Sequence, residues 1–389
     1  MKTMLIHGRQ PALARAELES LFGAAAVQPV GHDATLVDMA PDKINFARLG
    51  GMVKFCKLLT ELETTDWQEI EDFLATVAPR HFTSLPEGKL KIGLSAYGLN
   101  LSPDRLHATA LRLKKIGKHS NRSIRVIPNK NLQLNAASVL NNKLTHKLGW
   151  ELVFIKDKSK TIIAQSIAVQ DIDKYAARDR QRPYRDARVG MLPPKLAQII
   201  INLAKPNGDD VVLDPFCGTG VLLQEAALMG HDVYGTDIDA RMVDYAEKNL
   251  AWLVSEYGTS GFTKFIEKAD ATSDEWQKKY DVIASETYLG RAFSSQPDEN
   301  TLNKVIHDCD VIHKKFLLNA ARQTKPKFRL CLAVPAWKSK SGFRHLPTLD
   351  KLEQLGYNRV KFEHAKNNDL IYYRPGQTTA RELVVLERK

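Results

Sequence analysis

An acid beside a glycine turn, two further acids at strand ends, and a carboxylate next to an aromatic are the residues whose types and spacing suggest chemistry. VVLDPFCGTGVLLQEAALMG carries an apolar strand, residues 211–213, into Asp214 and then into a tight turn, Cys217-Gly218-Thr219-Gly220, which opens a helix at Val221. Glycines in such a turn take positive φ and let backbone approach a ligand. A dinucleotide-binding turn would read G-x-G-x-x-G. Here the third glycine position holds Leu223, and Asp214 would repel a pyrophosphate. The same carboxylate would welcome a cationic amine. Asp237 closes the next strand, DVYGTDID, 23 residues after Asp214. An acid near this spacing takes both hydroxyls of a ribose. Asp270, at the end of EKADA, is placed to accept from an adenine amino group. Amine, ribose and adenine together describe S-adenosylmethionine. Further on, YDVIASETYLGRAF runs a short apolar strand into Ser285-Glu286-Thr287-Tyr288, and strand ends are where α/β proteins bind ligands.

These residues need a sheet to hold them. From Met191 onward strands and helices alternate in the doubly wound manner, through VVLDPF, DVYGTDID, TKFIEKAD, YDVIASE, FRLCLAVPAW and two terminal strands around Tyr372 and 383–386. Upstream the chain reads as three blocks. Residues 1–86 form a small α+β unit: strand TMLIHG, helix PALARAELESLF between Pro11 and Gly23, then ATLVDM, DKINFARLGG and MVKFCKLLTEL continuing the alternation of strand and helix. Residues 87–172 offer strand KLKIGLSAYG, a helix from Pro103 capped by Ser102, strand SIRVIPN, a second helix LNAASVLNNKLTHKLG stopped by Gly149, and a hairpin around Lys156-Asp157-Lys158. Residues 173–190 read as an arginine-dense ordered linker within reach of phosphate, and residues 191–389 as the domain that holds the motifs.

The totals bound the class. A chain of 389 residues suits two or three domains. Its 43% hydrophobic and 26% charged content is ordinary for a globular protein. No apolar run reaches the roughly 20 residues of a membrane helix, and MKTMLIHGRQ lacks the apolar core of a signal peptide. The four cysteines are far apart without metal-ligand spacing, so no metal is expected and a reduced cytoplasmic setting is. The net charge of +11 is regional: residues 89–188 hold 21 Lys or Arg against 7 Asp or Glu, a surplus of 14 that leaves −3 for the remainder. Such a block suggests a polyanion-binding surface. On the first helix of that block Arg105, Arg112, Lys114, Lys115 and Lys118 make a basic face.

DPFCGTGVLLQEA resembles the cofactor loop of amino-methyltransferases. Together with YAARDRQRPYRDARVGMLPPKLAQIIINLA it is similar to the THUMP-domain tRNA guanosine-N2 methyltransferase family, over nearly the whole chain. The resemblance implies an α/β fold: a Rossmann-like class I methyltransferase domain preceded by α+β ferredoxin-like and THUMP-like domains. It implies S-adenosyl-L-methionine as cofactor and tRNA as partner. Asp214, Gly218 and Gly220 would surround the methionine end, with Phe216 or Cys217 alongside. Asp237 would hold the ribose, Ile238 would lie against the adenine, Asp270 would read its amine and Ala271 would pack nearby. Met191, Leu192 and Pro193 would help close the methionine pocket, Pro193-Pro194 being equally good as a plain helix start.

Methyl transfer to an exocyclic amine requires the amine to be positioned and its developing charge stabilised. Acceptors aimed at the amine hydrogens restore its delocalised lone pair, and a ring stacks the base. The family commonly places D-P-P-Y or N-P-P-Y at the fourth strand end. This chain departs from that pattern, with no proline and the acid two residues before the ring. Aligning Tyr288 sets Ser285 where the Asp stands; aligning the acid sets Glu286 there, matching a variant E-x-Y-L-G turn. Glu286 is the expected acceptor and Tyr288 the expected stack. Two other readings stay open at this point: a DNA amino-methyltransferase, and a non-catalytic RNA-binding protein with a relic methyltransferase fold. A small activating protein subunit also stays open, since the sequence carries no signal for one.

Overall fold

The computed structural model describes residues 2–186, 191–291, 293, 295, 297–340 and 342–389. The last four residues of the expected linker, 187–190, and Ala292 of the YDVIASETYLGRAF stretch lie outside the described residues. The chain divides into two compact units. One comprises Met1–Pro11, Phe22–Ala47 and Gly51–Asp173; the other comprises Ala12–Leu21, Arg48–Gly50 and Lys174–Lys389.

The first unit is built on one eight-stranded sheet. Its strands are β1 (Thr3–His7), β2 (Val27–Val30), β3 (Ala34–Val37), β4 (Met52–Leu62), β5 (Leu90–Tyr97), β6 (Ile124–Val126), β7 (Gly149–Asp157) and β8 (Lys160–Val169). They run in the order β2-β3-β1-β4-β8-β7-β5-β6. The antiparallel pairing of β4 with β8 carries the sheet through both expected blocks, 1–86 and 87–172. The helix α1 (Pro11–Phe22) counts with the second unit, whereas α2 (Trp67–Ser84) and α3 (Pro103–His119) lie in the first. Ile70, Leu74 and Phe82 of α2 and Leu106 and Leu113 of α3 pack on Ile92, Leu94 and Phe154 of the sheet. α3 starts as expected, its Arg105 N–H bonding Ser102 Oγ at 3.2 Å. Its basic face is less free than the sequence suggests: Arg105 reaches Glu71 at 2.6 Å and Arg112 reaches Asp72 at 2.9 Å, both on α2.

Two expected helices of this unit are corrected. DKINFARLGG forms two 3₁₀ turns, Pro41–Lys43 and Phe46–Arg48. The helix expected over LNAASVLNNKLTHKLG is only α4 (Ala136–Asn141). After it Lys143 takes a left-handed φ of 56°, which breaks the helical path. Gly149 starts β7 and does not stop a helix; a Cβ there would stand 2.1 Å from the Lys143 carbonyl, so the glycine is needed for backbone to cross backbone.

Besides α1, the second unit takes in most of α5 (Ile172–Arg180), a helix in the stretch expected as linker, and continues with α6 (Pro194–Ala204), β9 (Val211–Asp214), α7 (Val221–Leu228), β10 (Asp232–Asp237), α8 (Ala240–Tyr257), β11 (Lys264–Lys268), β12 (Val282–Glu286), α9 (Glu299–Gln323), β13 (Arg329–Ser339), β14 (Gly342–Arg344), β15 (Tyr357–Arg359), β16 (Ile371–Tyr372) and β17 (Thr379–Arg388). The sheet order is β11-β10-β9-β12-β13-β17-β15, with β14 beside β13 and β16 beside β17. β11, β10, β9, β12 and β13 pair in parallel, and β17 runs antiparallel to β13. The strand order reverses between β9 and β12, the switch point at which such sheets open a crevice. α6, α7 and α8 pack on one face through Leu196, Ile200, Leu222, Leu223 and Leu250. α9 covers the other through Leu302, Ile306, Phe316 and Leu317. A strand buried on both faces needs a continuous apolar run, and β12 supplies one, buried from Val282 to Ser285.

Internal polar contacts explain two further departures. Glu17 of α1 accepts from Gly50 N at 2.9 Å and from Asn202 Nδ2 at 2.7 Å, which ties α1 to α6. Arg178 of α5 forms a buried ion pair with Glu225, Nε to Oε1 at 2.6 Å, so this arginine of the expected linker is not offered to phosphate. Among the described residues no helix is long and apolar enough to cross a membrane.

Candidate active site

The carboxyl ends of β9, β10 and β12 meet in a cleft of about 290 Å³. Its lining includes Leu192, Asp214, Phe216, Cys217, Gly218, Asp237, Ile238, Glu286 and Tyr288. The described lining contains four carboxylates, the fourth being Asp239, and no cationic side chain. In a chain of net charge +11 this is a locally acidic site.

β9 delivers Asp214, 3% exposed, whose Oδ1 accepts from Ser285 Oγ at 2.6 Å and from Phe216 N at 3.2 Å. Burial pushes its carboxyl up to about 7; the bonds from Ser285 and Phe216 oppose this, and the Asp237 and Glu286 charges add to it. The turn that follows is fastened to β10 by Cys217 N on Thr236 O at 2.9 Å. Gly218 and Gly220 take φ of 48° and 80°. A Cβ on Gly220 would sit 3.0 Å from the Ala246 Cβ of α8. Cys217 is buried and its thiol is pushed well up by burial, so it is no nucleophile.

At the end of β10, Asp237 Oδ2 accepts from Gly218 N and Oδ1 from Asp239 N, both at 2.9 Å. Burial also pushes this carboxyl up. Ile238 beside it is 63% exposed. Asp270 follows the neighbouring β11, whose extension bonds Ala269 N to Asp237 O at 3.1 Å. Its Oδ1 is engaged with Thr272 N and Oγ1, at 2.8 and 2.7 Å, and its side chain does not line the cleft. Ala271 is buried, its carbonyl held by Asn319. Pro193 is the N-cap of α6; its neighbour Leu192 reaches the cleft.

β12 separates the two candidate acceptors. Ser285 is fully buried with its hydroxyl committed to Asp214, whereas Glu286 lines the cleft. Arg381 of β17 donates from Nε to Glu286 Oε1. Thr287 anchors the turn: its hydroxyl meets His313 Nε2 at 2.7 Å, and His313 Nδ1 meets the Cys309 carbonyl at 2.7 Å. A carbonyl only accepts, so Nδ1 carries the proton and Nε2 accepts from Thr287. Burial pushes His313 down to about 4, which keeps the ring neutral. The turn thus held presents Tyr288, 44% exposed. Arg381 and His313 escaped the sequence reading because they lie 95 and 26 residues from their partners, where no local spacing reports them.

Residues 182–346 match the family of RMKL-like methyltransferase domains, and a DNA methylase family matches residues 102–248. A curated relative, the tRNA (guanine(10)-N2)-dimethyltransferase of Methanothermobacter thermautotrophicus, is 32% identical over 184 residues, 47% of this chain and 49% of the relative. The chain spans about half the length of the curated relatives it matches. TrmN from Thermus thermophilus superposes over 100% of both chains with a TM-score of 0.54 at 15% identity. SMU.472 complexed with SAH covers 98% of this chain and 97% of its own, with a TM-score of 0.50 at 13% identity. These two likenesses speak to fold. With the glycine turn, the acidic strand ends and the matched residues all in the second unit, that unit is similar to the RMKL-like methyltransferase domains.

Proposed function

We propose that the second unit methylates the exocyclic amine of a guanine in tRNA, using S-adenosylmethionine, and that the first unit, with its ferredoxin-like and THUMP-like segments, grips the tRNA in the cytoplasm. The observation that carries this reading is the cleft at β9, β10 and β12, acidic where a cationic ligand would lie and ending in a carboxylate and an exposed ring.

The residues fit the cofactor. Asp214 is buried without a cationic partner among the described residues, and a bound amine would supply the missing counter-charge. Asp237 keeps lone pairs for ribose hydroxyls beyond the two N–H groups it already holds. Ile238 offers an apolar face to adenine, whereas Asp270, its side chain outside the cleft lining, would reach the adenine amine only by turning from Thr272. When bound, the cofactor would supply a sulfonium methyl: the C–S bond would break with its electron pair going to sulfur to leave a neutral thioether, the guanine N2 would gain the carbon, and its displaced proton would pass to solvent. Glu286 accepts from the guanine amine and draws its lone pair out of the ring system. Tyr288 stacks a base that has left its helix. Thr287 and His313 hold both at one turn.

tRNA incubated with the protein and methyl-labelled cofactor, digested and resolved by nucleoside mass spectrometry, tests this. Label in N2-methylguanosine or its dimethyl form is expected; label absent from guanosine overturns the reading. The match of residues 102–248 to a DNA methylase family favours a second reading, DNA amine methylation. Plasmid DNA in the same assay decides between them.

A further inference from the structure

Glu286 has a partner that lies outside both the motif and the cleft lining. Arg381 stands opposite Pro335 in the β13–β17 ladder, two residues beyond the level at which Glu286 pairs with Ala333. From there its guanidinium spans β13 to reach the end of β12. Both side chains are largely buried, Arg381 9% and Glu286 13% exposed. We infer that Arg381 is a positioning residue that holds the Glu286 carboxylate oriented as a double acceptor and so makes the site select guanine over adenine. The inference rests on the guanine reading above.

The selection follows from hydrogen-bond polarity. The Watson–Crick edge of guanine presents two adjacent donors, N1–H and N2–H. Adenine presents a donor beside a lone pair, and cytosine does the same. A carboxylate offers two acceptors and no donor. It matches guanine at both positions and sets an oxygen against a lone pair in the other bases. A protonated acid or a carboxamide, with one donor and one acceptor, matches adenine or cytosine instead. A Glu286 carboxylate turned with both oxygens to the base therefore reads guanine.

The surroundings leave that orientation to Arg381. Asp214 from β9, Asp237 from β10 and Asp239 just beyond it share the cleft with Glu286 and are carboxyls like it. The partners on β13, Ala333 and Pro335, are apolar. From α9 comes His313, neutral and turned to Thr287. Tyr288 on the same turn keeps its phenol proton, its pKa being raised by burial. Arg381 is the cation in contact with the carboxylate. A guanidinium fixes a carboxylate's orientation through its rigid fork of donors.

The test uses Arg381→Met and Arg381→Lys in the full chain, with two probes. One is tRNA; the other is the same tRNA joined from two halves with 2-aminopurine for guanine 10, the position named in the relatives. 2-Aminopurine keeps the amine and lacks N1–H. Wild-type kcat/KM should favour guanine over 2-aminopurine by at least about tenfold, because a site built for a donor rejects the analogue lacking it. Arg381→Met should lower the guanine rate by about 30-fold or more and shrink the preference below about threefold. Cofactor affinity by calorimetry should stay within about threefold. Arg381→Lys should keep the preference at a reduced kcat. If the arginine were merely structural, Arg381→Met would lower both rates alike and keep the preference; that result, or unchanged kinetics, overturns the inference. If Arg381→Met does not fold, Arg381→Lys carries the test, and a wild-type kcat overturns the positioning role. A wild-type protein that labels no guanosine overturns the underlying reading instead.

Discussion

Burial lifts the Asp214 carboxyl to about 7 from an ordinary 3.8, and its proton is therefore held more tightly in the folded chain than in the unfolded one. Stability from this group is fully present below 3.8 and is lost as pH rises through about 7. A cationic amine reverses the preference, because it favours the ionised form. Cofactor binding should then release a proton below pH 7. Its affinity should rise by about tenfold per pH unit towards 7 and level off above it. Calorimetry across pH, in buffers of different ionisation enthalpy, checks both, and Asp214→Asn should flatten the dependence; a pH-independent affinity in the wild type removes Asp214 from the amine site. The placement of Asp214, Gly218 and Asp237 at the cleft was legible because each lies within a few residues of a strand end, where one short motif specifies the turn. Whether Ser285 or Glu286 faces the cleft was not legible, since adjacent strand residues point to opposite sides and the motif left two alignments open. The ion pair to Arg381 comes from the far end of the chain, and sequence separation hides it.

At the scale of elements, the turn between β9 and α7 is a tight joint in the site. Gly220 combines a φ of 80° with an approach to Ala246 that leaves 3.0 Å for a Cβ. An alanine there meets left-handed strain and must displace α8. Gly220→Ala should cost about 1–3 kcal/mol, read as a lower urea midpoint. It should also weaken cofactor binding, because the backbone of residues 217–220 would retreat from the cleft; normal stability and affinity would show the turn to be slack. Local signals predicted this joint well. They failed where tertiary context overrides propensity. LNAASVLNNKLTHKLG has a helical period throughout, yet Lys143 turns left-handed and the chain must pass beneath Gly149. PALARAELESLF was read correctly as a helix, but the sequence did not show that its buried Glu17 pairs with Gly50 and Asn202 and docks it on the second unit.

Across the whole molecule the charge is unevenly divided: a basic first unit and an acidic cleft in the second. The sequence located the basic block, but could not tell cations that face solvent from cations bound within the fold. Arg105 and Arg112 are paired with Glu71 and Asp72, so removing them would loosen α2 on α3 more than it would affect a polyanion. Lys114, Lys115 and Lys118, on the same helix, have no carboxylate partner among the described residues, and Lys115 and Lys118 are exposed. If α3 lies on tRNA, these three carry the contact. Each phosphate neutralised by a lysine releases counterions, so affinity falls steeply as salt rises. Reversing all three to glutamate should weaken tRNA binding by about tenfold or more at moderate salt and flatten the dependence of log Kd on log salt. Cofactor affinity should be unchanged, since the cleft residues lie entirely in the second unit. The contrast with Arg105→Gln/Arg112→Gln is the decisive part. That pair should lower the melting temperature and leave the salt slope alone, whereas the lysine reversal should do the opposite. Equal loss of binding from both would mean that the tRNA is held elsewhere on the basic block.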